Sequence, residues 1–259
     1  MLIDAHAHLD RYEDKLDSVL EEINQNKIFT LSNSMDLPSY RRNLEIAERC
    51  KLILPCFGVH PWNATEYTDH LEDLRDAVGQ TPLLGEIGLD LYSAEDVDQF
   101  PAQRKVLEFF LAAAKEQKKI VNLHTRGAEK QVLQLLKEFD IQRGIIHWYS
   151  GPLDIFQELV VRGLYFTIGA EVLYSDHIRT IAKKLPEEQL LTETDNPGGQ
   201  KWLTGEPGMP LLIKDVILTL AKLRETTPHI IIQRVQGNFV RLIQDDLWLN
   251  ETYLKVSGL

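Results

Sequence analysis

Eight short apolar segments divide the chain: Leu2–Ala7, Ile28–Ser32, Leu52–Val59, Leu83–Ile87, Ile120–Leu123, Gly144–His147, Leu164–Ile168 and Leu190–Thr194. Between most of them run stretches whose apolar residues recur every three or four positions, such as Gln103–Gln117 (QRKVLEFFLAAAKEQ) and Ala128–Phe139 (AEKQVLQLLKEF). That period belongs to a helix with one buried face. Strands alternating with helices imply parallel strands joined by right-handed crossovers. Eight such units in 259 residues predict an α/β fold, a (β/α)8 TIM barrel in one domain over residues 1–259. Extra helices are expected after it, around Leu211–Leu223 and Ile230–Leu242. An open doubly wound sheet would use the same units, but no Gly-rich phosphate loop follows an early strand.

The barrel matters because its strands all end at one mouth, where active sites sit. Polar residues collect at those ends. His6 and His8 close the first segment, GVHPW (Gly58–Trp62) the third and GEIGLD (Gly85–Asp90) the fourth. LHTRG (Leu123–Gly127), IHWYSG (Ile146–Gly151) and TETDNPGG (Thr192–Gly199) close the fifth, sixth and eighth. Histidines and carboxylates spread along the sequence are therefore expected to meet in one place.

Each has a chemistry and a plainer reading. In the strand DAHAH, Asp4, His6 and His8 share one face, and two imidazoles so spaced can hold one metal ion. Alternatively they are polar residues on a solvated strand. Glu86 lies among small and apolar residues, where a carboxylate needs a metal or an ionic partner. His124 and His147, on neighbouring strands, could be two ligands of one ion or two hydrogen-bonded core residues. Asp195, held before Asn-Pro-Gly-Gly, could bind metal and take a proton from its water, or could only cap a turn. Glu193 is expected on the opposite face, supporting helix packing. His60 either polarises a substrate or orders the loop before Pro61, and Arg126 either grips a phosphate or carboxylate or pairs at the surface. Trp148 and Tyr149 either line a pocket, stacking on a base or sugar, or pack in the core.

Taken in order, DAHAHLD, GVHPW, GEIGLD, LHTRGA, IHWYSG, TETDNP and GNFVRLI resemble the TatD family of metal-dependent deoxyribonucleases, within the wider amidohydrolase-like barrels. The resemblance runs through the whole chain. It implies two divalent ions, zinc, manganese or magnesium. His6, His8 and Asp195 would bind the first, His124 and His147 the second, with Glu86 bridging both where related hydrolases use a carbamylated lysine. Asp195 and Glu86 would carry catalysis through a bridging metal-activated water, and His60, Arg126, Trp148 and Tyr149 would contact substrate. Several positions depart from the family pattern: Gly127 stands where Asp is common, Gly198-Gly199 replaces Tyr-Leu, Trp148-Tyr149 lies within the HCFxG element, and Gly205-Glu206-Pro207 replaces Asn-Glu-Pro. These positions shape the pocket rather than the metal ligands.

Charge narrows the partner. The chain carries a net charge of −11, against a nucleic-acid coat bound by a broad basic surface. Two divalent ions against Glu86 and Asp195 would leave a local charge of about +2, suited to a phosphodiester. Strand ends or short single strands are thus favoured over long duplexes, and the family resemblance implies DNA as the substrate, cut from the 3′ end. The alternatives are hydrolysis of a small ester, lactone or phosphoester, and a metal-binding protein without turnover. No apolar run approaches the roughly 18 residues of a membrane span, no secretory signal is visible, and Cys50 and Cys56 read as reduced thiols. Together these favour the cytoplasm; a monomer is the expectation for the oligomeric state, which none of these features sets.

Overall fold

In the computed structural model, which describes residues 1–92 and 99–258, strands and helices alternate from the first residues onward. The eight strands among them are β1 (Leu2–Ala7), β2 (Ile28–Asn33), β3 (Ile53–Cys56), β4 (Leu83–Gly88), β5 (Ile120–His124), β6 (Gly144–Ile146), β7 (Tyr165–Ile168) and β8 (Leu190–Thr192). Each falls on one of the apolar segments, and the connections hold helices α2 (Leu37–Arg49), α3 (Ala64–Tyr67), α4 (Arg75–Gln80), α8 (Asp176–Lys184) and α9 (Gly198–Thr204) besides those described below. The expected third strand is the most shortened: after Cys56 the chain leaves β3, His60 N donates to Met35 O at 2.9 Å, and Pro61 opens a 3-10 turn.

Two compact units form. The first contains Met1–Ser32, Arg42–Pro55 and the chain from Phe166 onward. Here β1 pairs in parallel with β2, Leu2 opposite Ile28 and Asp4 opposite Thr30, and β3 follows β2 in the sheet. On its other side β1 meets β8: Thr192 Oγ1 donates to Ile3 O at 2.6 Å. Next, β8 pairs in parallel with β7, Phe166 opposite Leu190. The helices of this unit include α1 (Leu16–Asn26), where Leu16, Val19, Leu20 and Ile23 make the buried stripe. Toward the C-terminus come α10 (Leu212–Leu223), α11 (Pro228–Ile243) and α12 (Leu247–Ser257). Phe29 on β2 packs against Phe239 of α11 at 5.6 Å and edge-on against Tyr253 of α12 at 5.2 Å. The first two C-terminal helices were expected. The third was not, because its buried face rests on little more than Leu249 and Tyr253.

The second unit contains Asn33–Arg41 and Cys56–Tyr165. Its strands β4, β5 and β6 are parallel neighbours, with Leu83 opposite Ile120 and Val121 opposite Gly144. The register of β4 against β5 shifts between Leu84 and Ile87, the stretch that holds Glu86. Both strands are buried along nearly their whole length, hence the run of Val, Ile and Leu in place of alternation. Helix α5 (Gln99–Gln117) turns Val106, Leu107, Phe110, Leu111 and Ala114 inward, the three-and-four spacing read above. Helices α6 (Glu129–Glu138) and α7 (Leu153–Val161) follow β5 and β6.

Candidate active site

The first unit brings His6, His8 and Asp195 together through its backbone. Asp195 N donates to His6 O at 2.9 Å, and His8 N donates to Asn196 O at 2.8 Å. These two bonds lock the end of β1 to the loop after β8. The imidazole Nε2 atoms of His6 and His8 lie 3.2 Å apart. Asp195 Oδ1 is 3.7 Å from the first and 3.3 Å from the second. Asp195 has φ +50°, a left-handed conformation uncommon outside glycine and found where surrounding structure enforces it. Here that structure includes Gly199 N, which donates to Asp195 O at 2.6 Å.

Asp4 does not join this group. Its Oδ1 accepts from Thr194 N at 2.9 Å and its Oδ2 from Thr194 Oγ1 at 2.7 Å. Burial pushes the Asp4 carboxyl up to about 7, against the pull of those hydrogen bonds. The register of β1 against β2 shifts between Asp4 and Ala7. Glu193, expected to support helix packing, is instead fully buried and accepts from Thr167 Oγ1 at 2.6 Å, inside the β7–β8 pair.

The second unit gathers its groups on Glu86. Glu86 Oε1 lies 2.8 Å from His124 Nδ1, 3.0 Å from His147 Nε2 and 3.3 Å from His60 Nε2. All four side chains are buried or nearly so. Close approach of β4 and β5 requires Gly88: a Cβ there would sit 2.0 Å from His124 O, and its φ is +153°. His60 is oriented by its own loop. Its Nδ1 accepts from Trp62 N at 3.2 Å, so a neutral His60 carries its hydrogen on Nε2 and donates it to Glu86.

One further carboxylate, unassigned from sequence, completes this cluster. Asp90 is fully buried. Its Oδ2 accepts from Trp62 Nε1 at 2.9 Å and faces His124 Nε2 at 3.1 Å. Gln103 clamps its backbone at both N and O. His124 thus meets a carboxylate at each ring nitrogen. Burial alone lowers a histidine, but the bonds to Asp90 and Glu86 outweigh it and hold His124 above its usual value. The available signal was the last residue of GEIGLD, an acid just beyond a buried strand.

Both groups have the donor chemistry of a divalent-ion site. His6, His8 and Asp195 present ligand atoms within 4.8 Å of one another, as do His60, Glu86 and His124. Bonds of about 2.1 Å at tetrahedral angles place donors roughly 3.4 Å apart, close to the separations seen.

The remaining candidates divide. Arg126 is 40 % exposed, with its guanidinium 5.2 Å over the Tyr92 ring and 3.9 Å from Asp90 Oδ2. Trp148, half-buried, takes a left-handed φ of +40° directly after His147. Tyr149 turns inward: its hydroxyl donates to Pro152 O at 2.7 Å and its ring lies against Phe156. Both ends of that side chain serve the connection into α7. Cys50 and Cys56 are buried free thiols.

The family model described as TatD related DNase matches residues 3–244. The chain belongs to the TatD family. It is similar to the metal-dependent hydrolase YabD of Bacillus subtilis, 29% identical over 94% of this chain and 99% of that one. It is also 29% identical to the human deoxyribonuclease TATDN3, over 80% of this chain and 82% of the relative. Among solved structures, the Escherichia coli TatD homologue YjjV superposes with a TM-score of 0.85 at 28% identity, covering 93% of this chain and 97% of that one. This TatD-family chain is accordingly a metal-dependent hydrolase with the TIM-barrel-type α/β fold expected from its strand and helix pattern. Among its described residues, no helix is long and apolar enough to cross a membrane.

Proposed function

We propose that this TatD-family hydrolase is a 3′-end exodeoxyribonuclease using two divalent ions, one held by His6, His8 and Asp195 and one by Glu86, His124 and His147. The observation that carries the reading is the assembly, at strand ends far apart in sequence, of carboxylate oxygens within 2.8–3.7 Å of imidazole nitrogens. The name of the human relative, a deoxyribonuclease, supports DNA as the substrate. Such ions, when bound, acidify a coordinated water to a pKa near 7 and offset charge on a phosphoryl oxygen.

The chain's own residues do the rest. Asp195 accepts the proton of the attacking water on its carboxylate. As the bond from phosphorus to the 3′ oxygen breaks, that proton passes to the departing oxygen. His60 orients Glu86 by donating from Nε2, and Asp90 orients His124. Arg126 offers a guanidinium to a substrate phosphate. With a net charge of −11, the protein repels long duplexes and favours strand ends or short single strands. Imidazole-rich ligation fits zinc or manganese better than magnesium.

The test uses metal-stripped protein reloaded with zinc, manganese or magnesium in turn, and a 5′-labelled single strand with a free or blocked 3′ end. Stepwise shortening of the free strand alone, absent in Glu86→Gln, is the expected result. Protein that holds two ions yet leaves every strand intact overturns the reading. If that protein hydrolyses bis(p-nitrophenyl) phosphate, the substrate is a small phosphoester.

A further inference from the structure

Asp90 ties two exposed aromatic side chains to the His124 cluster. Trp62, 51% exposed, donates its indole N–H to Asp90 Oδ2 at 2.9 Å. Tyr92, 75% exposed, is anchored through its backbone, whose N–H donates to Asp90 Oδ1 at 3.0 Å. One buried carboxylate therefore fixes where both rings leave the protein, and its Oδ2 also faces His124 Nε2. Aromatic faces exposed beside a candidate metal ligand are surfaces on which a base can stack.

The surroundings of Tyr92 add a charge. Arg126 lies over its ring at 5.2 Å, a cation on an aromatic face, with its side chain 40% exposed. Gly127 makes the arrangement possible. A Cβ at 127 would come within 2.8 Å of Tyr92 Cε2 and 2.9 Å of Cδ2, so any side chain there would take the place of the ring. An acidic side chain at 127 would also neutralise Arg126. With glycine, the turn keeps a flat apolar face and a positive charge side by side. A nucleobase joined to a phosphate has the complementary pair of features.

We propose that Tyr92, with Trp62 and Arg126, forms a stacking subsite for the terminal base of a single-stranded substrate and the phosphate next to it. The proposal rests on the nucleic-acid reading above and adds to it the part of the strand that is recognised. It makes Tyr92 a specificity-determining residue, and it gives Gly127 a positive role.

The experiment compares two 5′-labelled strands of one sequence, with the 3′-terminal thymidine intact or replaced by an abasic tetrahydrofuran. Metal-reconstituted wild-type enzyme is expected to show a KM about 10-fold higher for the abasic strand, within the range that one stacked base supplies. In Tyr92→Ala that ratio falls to about 2 or below, whereas Tyr92→Phe, which keeps the aromatic face, retains it. Gly127→Asp, which displaces the ring and places an acid beside Arg126, lowers the ratio as Tyr92→Ala does. Strands shortened with the same KM by the wild type, or a wild-type ratio in Tyr92→Ala, overturn the subsite and leave the exonuclease reading standing. A wild-type enzyme that neither binds nor shortens either strand overturns both.

Discussion

Replacing Asp90 by asparagine tests whether a buried carboxylate with no direct place in the reaction sets the metal affinity of the second unit. Asp90 Oδ2 faces His124 Nε2 at 3.1 Å and accepts from Trp62 Nε1 at 2.9 Å. Asparagine keeps the shape but loses the charge. The indole and His124 share Oδ2, so an amide oxygen placed there keeps both contacts, without the charge, but sets the NH2 group against the Tyr92 N–H that Oδ1 accepts. The reversed amide keeps Tyr92 and sets its NH2 group against the indole N–H, so in either orientation at least one bond is lost. Losing the carboxylate behind a ligating histidine typically lowers metal affinity 10- to 100-fold, about 1.4–2.7 kcal/mol. Competition with a chelator at pH 8, where protons compete least, should show one ion weakened by that factor and the other unchanged. In the metal-free variant the His124 imidazole should titrate lower than in wild type, read by NMR, because one of the two groups that raise it is gone. Two ions bound at wild-type affinity, with His124 titrating as before, would refute the argument that Asp90 acts through His124.

Other perturbations read other parts of the site. Asp195→Asn should reduce kcat at least about 100-fold while the circular dichroism spectrum is retained, as expected of a general base. Gly88→Ala should destabilise the protein by at least about 2 kcal/mol in urea melts and lower the bound metal, because a Cβ there meets His124 O at 2.0 Å. Asp4 is held near 7 in the folded protein, against 3.8 as its ordinary value. The folded state thus binds the extra proton, and the stability of the metal-free protein should fall as pH rises from about 4 through 7, by up to a few kcal/mol. Urea midpoints at pH 5 and pH 8 should show this fall in wild type and a smaller one in Asp4→Asn. His124 is raised as well, so protons should compete with metal at the Glu86 group from somewhat above pH 6.5 downward, seen as a steep loss of affinity for one ion between pH 7.5 and pH 6.

What the sequence made legible was periodic or chemically expensive. The strands stand out because segments buried on both faces must be continuously apolar, and α5 and α6 because a helix with one buried face repeats its apolar residues every three or four positions. Glu86 stands out because a carboxylate in LLGEIGL demands partners. The misreadings concern residues whose roles depend on register or on distant loops. Asp4 lies on the same strand as His6 and His8, but its carboxylate is taken up by Thr194, a residue far along the chain. Glu193, expected to support helix packing, is buried and takes its hydrogen bond from Thr167 on the adjacent strand. Asp90 ends the GEIGLD motif, and nothing local reveals that Trp62 and His124 converge on it. Tyr149 offers an aromatic ring to any reader of IHWYSG, but its hydroxyl bonds only three residues ahead, to Pro152 O. Helix α12 escaped notice because so few of its residues are buried.

The hydrogen bonds from Asp195 N to His6 O and from His8 N to Asn196 O join the beginning of the chain to a loop made much later. On a ribosome adding about 5–20 residues per second, the two histidines wait roughly 10–40 seconds for the carboxylate that completes their group. Throughout that interval they are exposed as a bare imidazole pair, able to pick up a stray ion weakly but not to enclose it. A polypeptide released before the eighth strand therefore keeps the histidines and lacks Asp195. Tight occupancy of this trio would thus report that translation had passed the eighth strand, and a prematurely terminated product would give up its ion to a mild chelator.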